Sequence, residues 1–516
     1  MKAHILRTIP MLLIAATTCS AQSLTGAKIK DGPYRPHWES IKQHKGAPEW
    51  FLDAKLGIYT HWGPITKANE FRPDHAYGRD MYNPERKEYA YHVETHGDPK
   101  EVGYKDLIPK FQPVDFEAEK WADLFAEAGA RFAGPVAMHH DNFAMWGSEV
   151  TPWNIQRTFG RDTCAELEKA IRSRGMKFVT SFHHAYSWQY YVHAYDYDAG
   201  VPGNESLYCV PHDDSIRPNG PEAASFREAW LAKLIEVIDK YEPDFIWFDW
   251  GLATFPDDPV LDFFTHYFNS ADAWGKEVVV TFKKNPKNRF PGDFTVLDHE
   301  RGGELELSDK PWVNDTSIGP WFYNANYGAK ADPKTDTLVE LFVDLVSKNG
   351  ILLLNIPPDT TGKITPAGVR ILKELGAWNR VNGQAVFDTR PWVVAEEGDG
   401  EIQGRMDRES VMTAEDIRFT RSKDMKTLYA IVLDWPESGE LQIKTLAKQH
   451  MELSSVQGVS LLGGGKLDWS QDANGMTIKL GGNPPKNDWA HSVKIVFKDK
   501  IPELTGIESQ VKKSVY

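Results

Sequence analysis

EAASFREAWLAKLIEVIDKYEPDFIWFDWG, residues 222–251, holds the two signals that decide the fold. Its first twenty residues set Phe226, Trp230, Leu234 and Tyr241 on one face of a helix, the spacing of an element that buries one apolar stripe. Phe245-Ile246-Trp247-Phe248 follows as an unbroken apolar run. So short a run, without polar alternation, suits a strand covered on both faces, as in a parallel sheet. The run ends in Asp249-Trp250-Gly251, an acid between two tryptophans.

The same alternation extends to both sides, from about Phe51 to Asn355. Further apolar runs are Leu56–Tyr59, Phe132–Met138, Phe178–Phe182, Val278–Phe282 and Ile351–Leu354. Between them, Glu117–Ala130 carries Trp121, Leu124, Phe125 and Ala128 at helical spacing, and Thr163–Arg174 stops at Gly175. Some 300 residues of strand–helix alternation predict an α/β fold, a (β/α)8-like TIM barrel. An open doubly wound sheet is disfavoured because no glycine-rich phosphate loop follows the first strand. After Trp392 short strand-like runs such as Thr427–Leu433 alternate with turn residues, which predicts a small antiparallel β-sandwich. The expected domains are therefore a barrel over 22–390, a β-sandwich over 391–502 and a polar, frayed tail over 503–516.

Residues 1–21 read as a secretory signal peptide. Lys2 and Arg7 precede the short apolar stretch Ile9–Ala16, and small residues lead to Ala21. A secreted or periplasmic protein is expected; the lipoprotein alternative, with lipid on Cys19, fits its flanking residues less well. No later stretch is apolar enough to span a membrane. Cys164 and Cys209 then remain, too few for a disulfide framework and without metal-site spacing. With 73 acidic against 59 basic residues the net charge is −14, which argues against nucleic acid as a partner.

In a β/α barrel, function collects where the strands end. Those ends here are polar and aromatic: Thr60-His61-Trp62-Gly63, Met138-His139-His140-Asp141, Phe182-His183-His184, Trp247-Phe248-Asp249-Trp250 and, after a later strand, Leu297-Asp298-His299-Glu300-Arg301. Each has a structural reading alone, but five converging ends predict one pocket. A metal site is the first rival. Neighbouring residues on a strand face opposite ways, so each His pair is expected to offer one inward ligand at most. No metal or cofactor is expected. Two carboxylates remain, Asp249 and one of Asp298 and Glu300; glycosidases need such a pair, one as nucleophile and one as proton donor.

At these residues the sequence resembles the α-L-fucosidases of glycoside hydrolase family 29. The motifs are FLDAKLGIYTHWG, the helix–strand stretch ending VAMHHDNFAMW, YEPDFIWFDWG and the long segment from NGILLLNIPPDTTG to FDTRPW. The resemblance implies sugar-binding roles for His61, His139 and His140, and the nucleophile's role for Asp249. DFTVLDHERGG lies where the acid/base residue is placed, as Glu300 or Asp298, with Glu304 and Glu306 behind them. Trp321 is implied as an aromatic packing on the sugar, and Trp62, Glu70, Phe182 and Trp247 complete the expected binding set, with Phe182 or Trp321 as the wall for a 6-deoxy methyl group. Three departures stand out. Asn142 replaces a usual glycine, Trp250 intervenes before Gly251, and Glu70 is followed by Phe71 and an insertion where the family has a tryptophan. The implied activity is retaining exo-hydrolysis of α-L-fucosides in oligo- or polysaccharides by double displacement. The alternatives are a related sugar such as an α-L-galactoside, or a non-catalytic sugar-binding homologue.

Overall fold

The computed structural model describes residues 28–68, 70, 76–212, 223–283, 290, 293–325, 333–402, 404–406, 411–482, 484 and 489–513. The expected signal peptide and Phe71 lie outside them. Eight parallel strands close into a barrel: β1 Leu56–Thr60, β2 Phe132–Met138, β3 Lys177–Phe182, β4 Phe245–Phe248, β5 Val279–Lys283, β6 Val296–Glu300, β7 Trp312–Ser317 and β8 Gly350–Asn355. Gly57↔Phe132 starts the register and Gly57↔Leu353 closes it. Alternate residues of each strand face in. Tyr59, Phe132, Val136, Val179, Phe245, Trp247, Val279, Val296, Val313, Ile351 and Leu353 pack into one interior core, as in a barrel filled by side-chain layers.

The residues between alternate outward and bury against helices. Helix Ala118–Ala128 buries Trp121, Ala122, Phe125 and Ala128 and ends at Gly129. Thr163–Ser173 starts at Asp162, whose side chain accepts from Ala165 N–H. Ala224–Tyr241, Asp257–Trp274, Thr335–Ser347 and Pro366–Asn382 belong to the same outer layer. The β6–β7 connection, residues 301–311, holds no helix.

A second core joins two antiparallel sheets. The strands are β9 Thr389–Glu397, β10 Ile417–Ser422, β11 Thr427–Val432, β12 Glu440–Ile443, β13 Val456–Leu461, β14 Trp469–Gln471, β15 Met476–Lys479 and β16 His491–Phe497; one sheet runs β13-β16-β11-β10-β9 and the other β12-β15-β14. The tail is not frayed over its described part. Gln510 N–H donates to Val393 O, Lys512 N–H donates to Leu307 O, and Asp309 N–H donates to Lys512 O. The tail thus covers the helix-free β6–β7 connection, an association that no local pattern in a polar segment announces. Cys164 and Cys209 are both buried and free.

Candidate active site

All eight strands send side chains to one end of the barrel. Asp249, the residue after β4, is buried there. Its Oδ2 accepts from His183 Nδ1 at 3.0 Å and lies 3.2 Å from His140 Nε2, and its Oδ1 lies 3.4 Å from Lys283 Nζ at the end of β5. Burial by itself raises the carboxyl's pKa; the Lys283 charge, His183 and His140 outweigh it and hold Asp249 well below the usual carboxylate range. His140 is aimed from behind, since its Nδ1 donates to His183 O at 2.8 Å.

Lys283 also contacts Glu300 Oε2 at 2.7 Å, Asp315 Oδ2 at 3.4 Å and Asp298 Oδ2 at 3.9 Å. Burial alone would favour a neutral amine, but these carboxylates and Asp249 keep the ammonium charged. Asp298 and Glu300 share a face of β6, as their spacing requires, yet differ in depth. Asp298 is 1 % exposed. Burial first, then the charge of Asp315, pushes Asp298 well up; burial also raises Asp315, which accepts from Tyr59 O–H at 3.1 Å. Glu300 keeps 30 % of its side chain exposed at the strand end. Glu304 turns to His299 at 2.9 Å, and Glu306 pairs on the surface with Lys512.

His61 follows β1. Its N–H and Nδ1 both reach Asn355 Oδ1, at 2.8 and 3.1 Å, which leaves Nε2 for the pocket. Asn355, last in β8, also donates to Trp321 O at 2.8 Å. Trp321 tilts beside His61 with ring centroids 5.1 Å apart, and Arg301 lies 4.7 Å from its ring centroid. Phe322 stands edge-on to His61 and His139, at 5.3 and 4.8 Å. Trp247 forms the floor, 5.1 Å from the His183 ring. Burial lowers His61 far below its usual pKa and His183 to about 4, so both are neutral near pH 7. Glu70 is ion-paired with Lys67, with Thr360 Oγ1 at 3.5 Å.

Two expected pocket residues are elsewhere. Trp62 donates to Asp359 O and packs among Phe111, Phe116 and Trp121. Phe182 packs towards Phe248, Trp146 and His184. The reason is parity: Tyr59 and His61 face in, so Trp62 faces out; Val179 and His183 face in, so Phe182 and His184 face out. The parity argument fails at His139-His140. The strand ends at Met138, and the two rings sit 4.4 Å apart within the same cluster. Asn142, at φ 62°, occupies the left-handed turn that follows; asparagine tolerates that region better than most residues, and Lys233 Nζ holds its Oδ1 at 2.6 Å.

The histidines bear on metals as well. Ligating atoms of His61, His139 and His183, and of His140, His183 and Asp249, lie within 4.8 Å of one another, so by donor type either set could hold an ion; each set draws one histidine from each pair, as expected, although both His139 and His140 reach the cluster. In the second set Lys283 already neutralises the carboxylate. Sequence reading missed Lys283, Asn355, Asp315 and Phe322. The first two close apolar runs and carry only that position as a signal.

Family comparison gives the same assignment over nearly the whole chain. Residues 21–384 match the α-L-fucosidase family model, and 410–496 the α-L-fucosidase C-terminal domain. Rat tissue α-L-fucosidase is 27 % identical over 496 residues, 92 % of this chain and 93 % of that one; human plasma α-L-fucosidase is 28 % identical over 474 residues, 87 % and 88 %. The crystal structure of Thermotoga maritima α-fucosidase in complex with fucose superposes with a TM-score of 0.69 at 26 % identity, covering 90 % of this chain and 100 % of that one. With a closed barrel, a converging cluster of acids and histidines, and both family domains in order, the chain belongs to the α-L-fucosidase family, glycoside hydrolase family 29, and is a glycoside hydrolase.

Proposed function

We propose that the protein is a retaining exo-α-L-fucosidase acting by double displacement on fucosylated oligo- or polysaccharides. The observation that carries this reading is the shared ammonium of Lys283, 3.4 Å from Asp249 and 2.7 Å from Glu300. Laid end to end, those spans cap the separation of the two contacting carboxylate oxygens below the roughly 6.5 Å at which inverting pairs begin, a range that includes the roughly 5–5.5 Å of retaining pairs. Asp249 Oδ1, the oxygen not held by histidines, attacks the anomeric carbon as the glycosidic bond breaks. Glu300 gives its proton to the departing oxygen, then takes one from the water that hydrolyses the glycosyl-enzyme. Asp298, sealed beneath, sets the charge of the cluster and does not reach the leaving group. His61 and His139 hold hydroxyls, and Trp321, one of the two residues expected in that role, supplies the apolar wall for the sugar's methyl group together with Phe322. Residues 1–21 direct export, as secreted or periplasmic protein.

The test is turnover of nitrophenyl α-L-fucoside, followed by NMR of the first-formed sugar. Retention gives the α-anomer, and Asp249→Ala lowers kcat by about 10³-fold or more with azide restoring part of it. Release of the β-anomer, or wild-type kcat in Asp249→Ala, would overturn the mechanism; preference for the α-L-galactoside would overturn the sugar.

A further inference from the structure

Trp250 is the residue by which the nucleophile's loop departs from its family, and it is 48 % exposed. An indole left half in water beside a catalytic acid invites an explanation, because large aromatic rings are normally covered. Its backbone is not free to hide it. Gly251 follows at φ 110°, and a Cβ there would stand 2.7 Å from the carbonyl carbon of Ala185, so the turn is pressed against the segment after β3 in a conformation that favours glycine. The ring's position is set by charge as well: Lys283 Nζ lies 5.7 Å from its centroid, while the same Nζ contacts Glu300 at 2.7 Å and Asp249 at 3.4 Å. The other indole near that ammonium, Trp247 at 4.9 Å, is fully buried and forms the floor.

Resting on the fucosidase reading, we propose that Trp250 is the platform for the leaving group's first sugar ring, a neutral pyranose that lays its C–H face on the exposed indole. The acid/base residue must stand beside the glycosidic oxygen, so the leaving group lies on the Glu300 side of the pocket. Trp250 borders the ammonium that contacts Glu300. The substrate class is then a fucoside of a saccharide rather than of a small alcohol, since a leaving group without a ring gains nothing from the platform.

The experiment compares kcat/KM for a panel of α-L-fucosyl-galactose disaccharides of different linkage with that for α-L-fucosyl fluoride, whose leaving group has no ring. For the preferred disaccharide, Trp250→Ala lowers the disaccharide-to-fluoride ratio about tenfold, with most of the loss in KM, and Trp250→Phe recovers most of it, as stacking on a smaller ring would. An unchanged ratio in Trp250→Ala, or wild-type enzyme that uses the fluoride but no disaccharide, would overturn the platform while leaving the fucosidase reading intact. Wild-type enzyme idle on both substrates would overturn the fucosidase reading and the platform with it.

Discussion

Four carboxylates, of Asp249, Asp298, Glu300 and Asp315, lie 2.7–3.9 Å from the single ammonium of Lys283. Like charges about 4 Å apart repel by about 4 kcal/mol at an effective dielectric of 20, so four charges around one cation do not coexist. The buried pair resolves the conflict, because burial pushes both Asp298 and Asp315 up and favours a proton there. Asp249 remains ionised because Lys283 is the foremost influence opposing its burial. Replacing that cation has a defined sign. In Lys283→Met the opposing charge is gone, burial dominates, and the Asp249 pKa rises. A nucleophile must be ionised, so the acid limb of the kcat/KM profile moves to higher pH, by about 1–3 pH units. A limb that stays where the wild type has it would show that Lys283 does not govern the nucleophile. The depth difference on β6 gives a second test. Glu300→Ala should cost far more on a fucosyl disaccharide than on a nitrophenyl fucoside, whose phenol departs without a proton, and azide should rescue the aryl reaction. Asp298→Ala should depress both alike, without rescue. The reverse pattern would exchange the two roles.

Strand parity places most of the pocket. His61, His183, Asp249 and Glu300 are each an even number of residues from an inward-facing core residue, Tyr59, Val179, Trp247 and Val296 respectively. Trp62 and Phe182 are one residue out of step and serve the helix layer instead. Trp62→Ala should therefore cost stability, about 3–5 kcal/mol as for other buried large-to-small changes, while KM for an aryl fucoside stays within about twofold. Trp321→Ala should do the opposite. A raised KM with unchanged melting temperature in Trp62→Ala would return that residue to the pocket. Parity also marks how far the sequence was legible. Runs as apolar as Phe245–Phe248 and Ile351–Leu354 identified themselves. The strands β6 and β7 were harder, because inward positions at Asp298, Glu300 and Asp315 are acids that only Lys283, on another strand, makes tolerable. Asn355 was unreadable for the same reason: its task, holding His61 from across 294 residues of chain, exists only once β8 closes against β1.

The barrel and the β domain share a buried ionic junction. Arg418 of β10 is fully buried, and its Nε donates to Asp344 Oδ1 at 2.6 Å, on the barrel helix Thr335–Ser347. Lys348 completes the junction, with Nζ 3.0 Å from both Asp344 and Glu396, and Glu396 of β9 lies 3.3 Å from Arg418. Apolar residues on each side announce two cores, but nothing local shows that Asp344 and Arg418, 74 positions apart, are meant for each other. Their pairing makes the β domain a buttress on the helix that covers β8. Removing one partner of a buried pair leaves an uncompensated charge, which costs about 3–5 kcal/mol. Arg418→Ala should thus lower the calorimetric melting temperature markedly, while the folded fraction hydrolyses aryl fucoside with wild-type kcat and KM. Asp344→Ala should do likewise. Because each single change already breaks the contact, the double variant should lose less than the two losses added. Strict additivity would mean that Arg418 and Asp344 do not act together. A variant stable as wild type but slow on the fucoside would mean that the β domain shapes the active site instead of supporting the barrel.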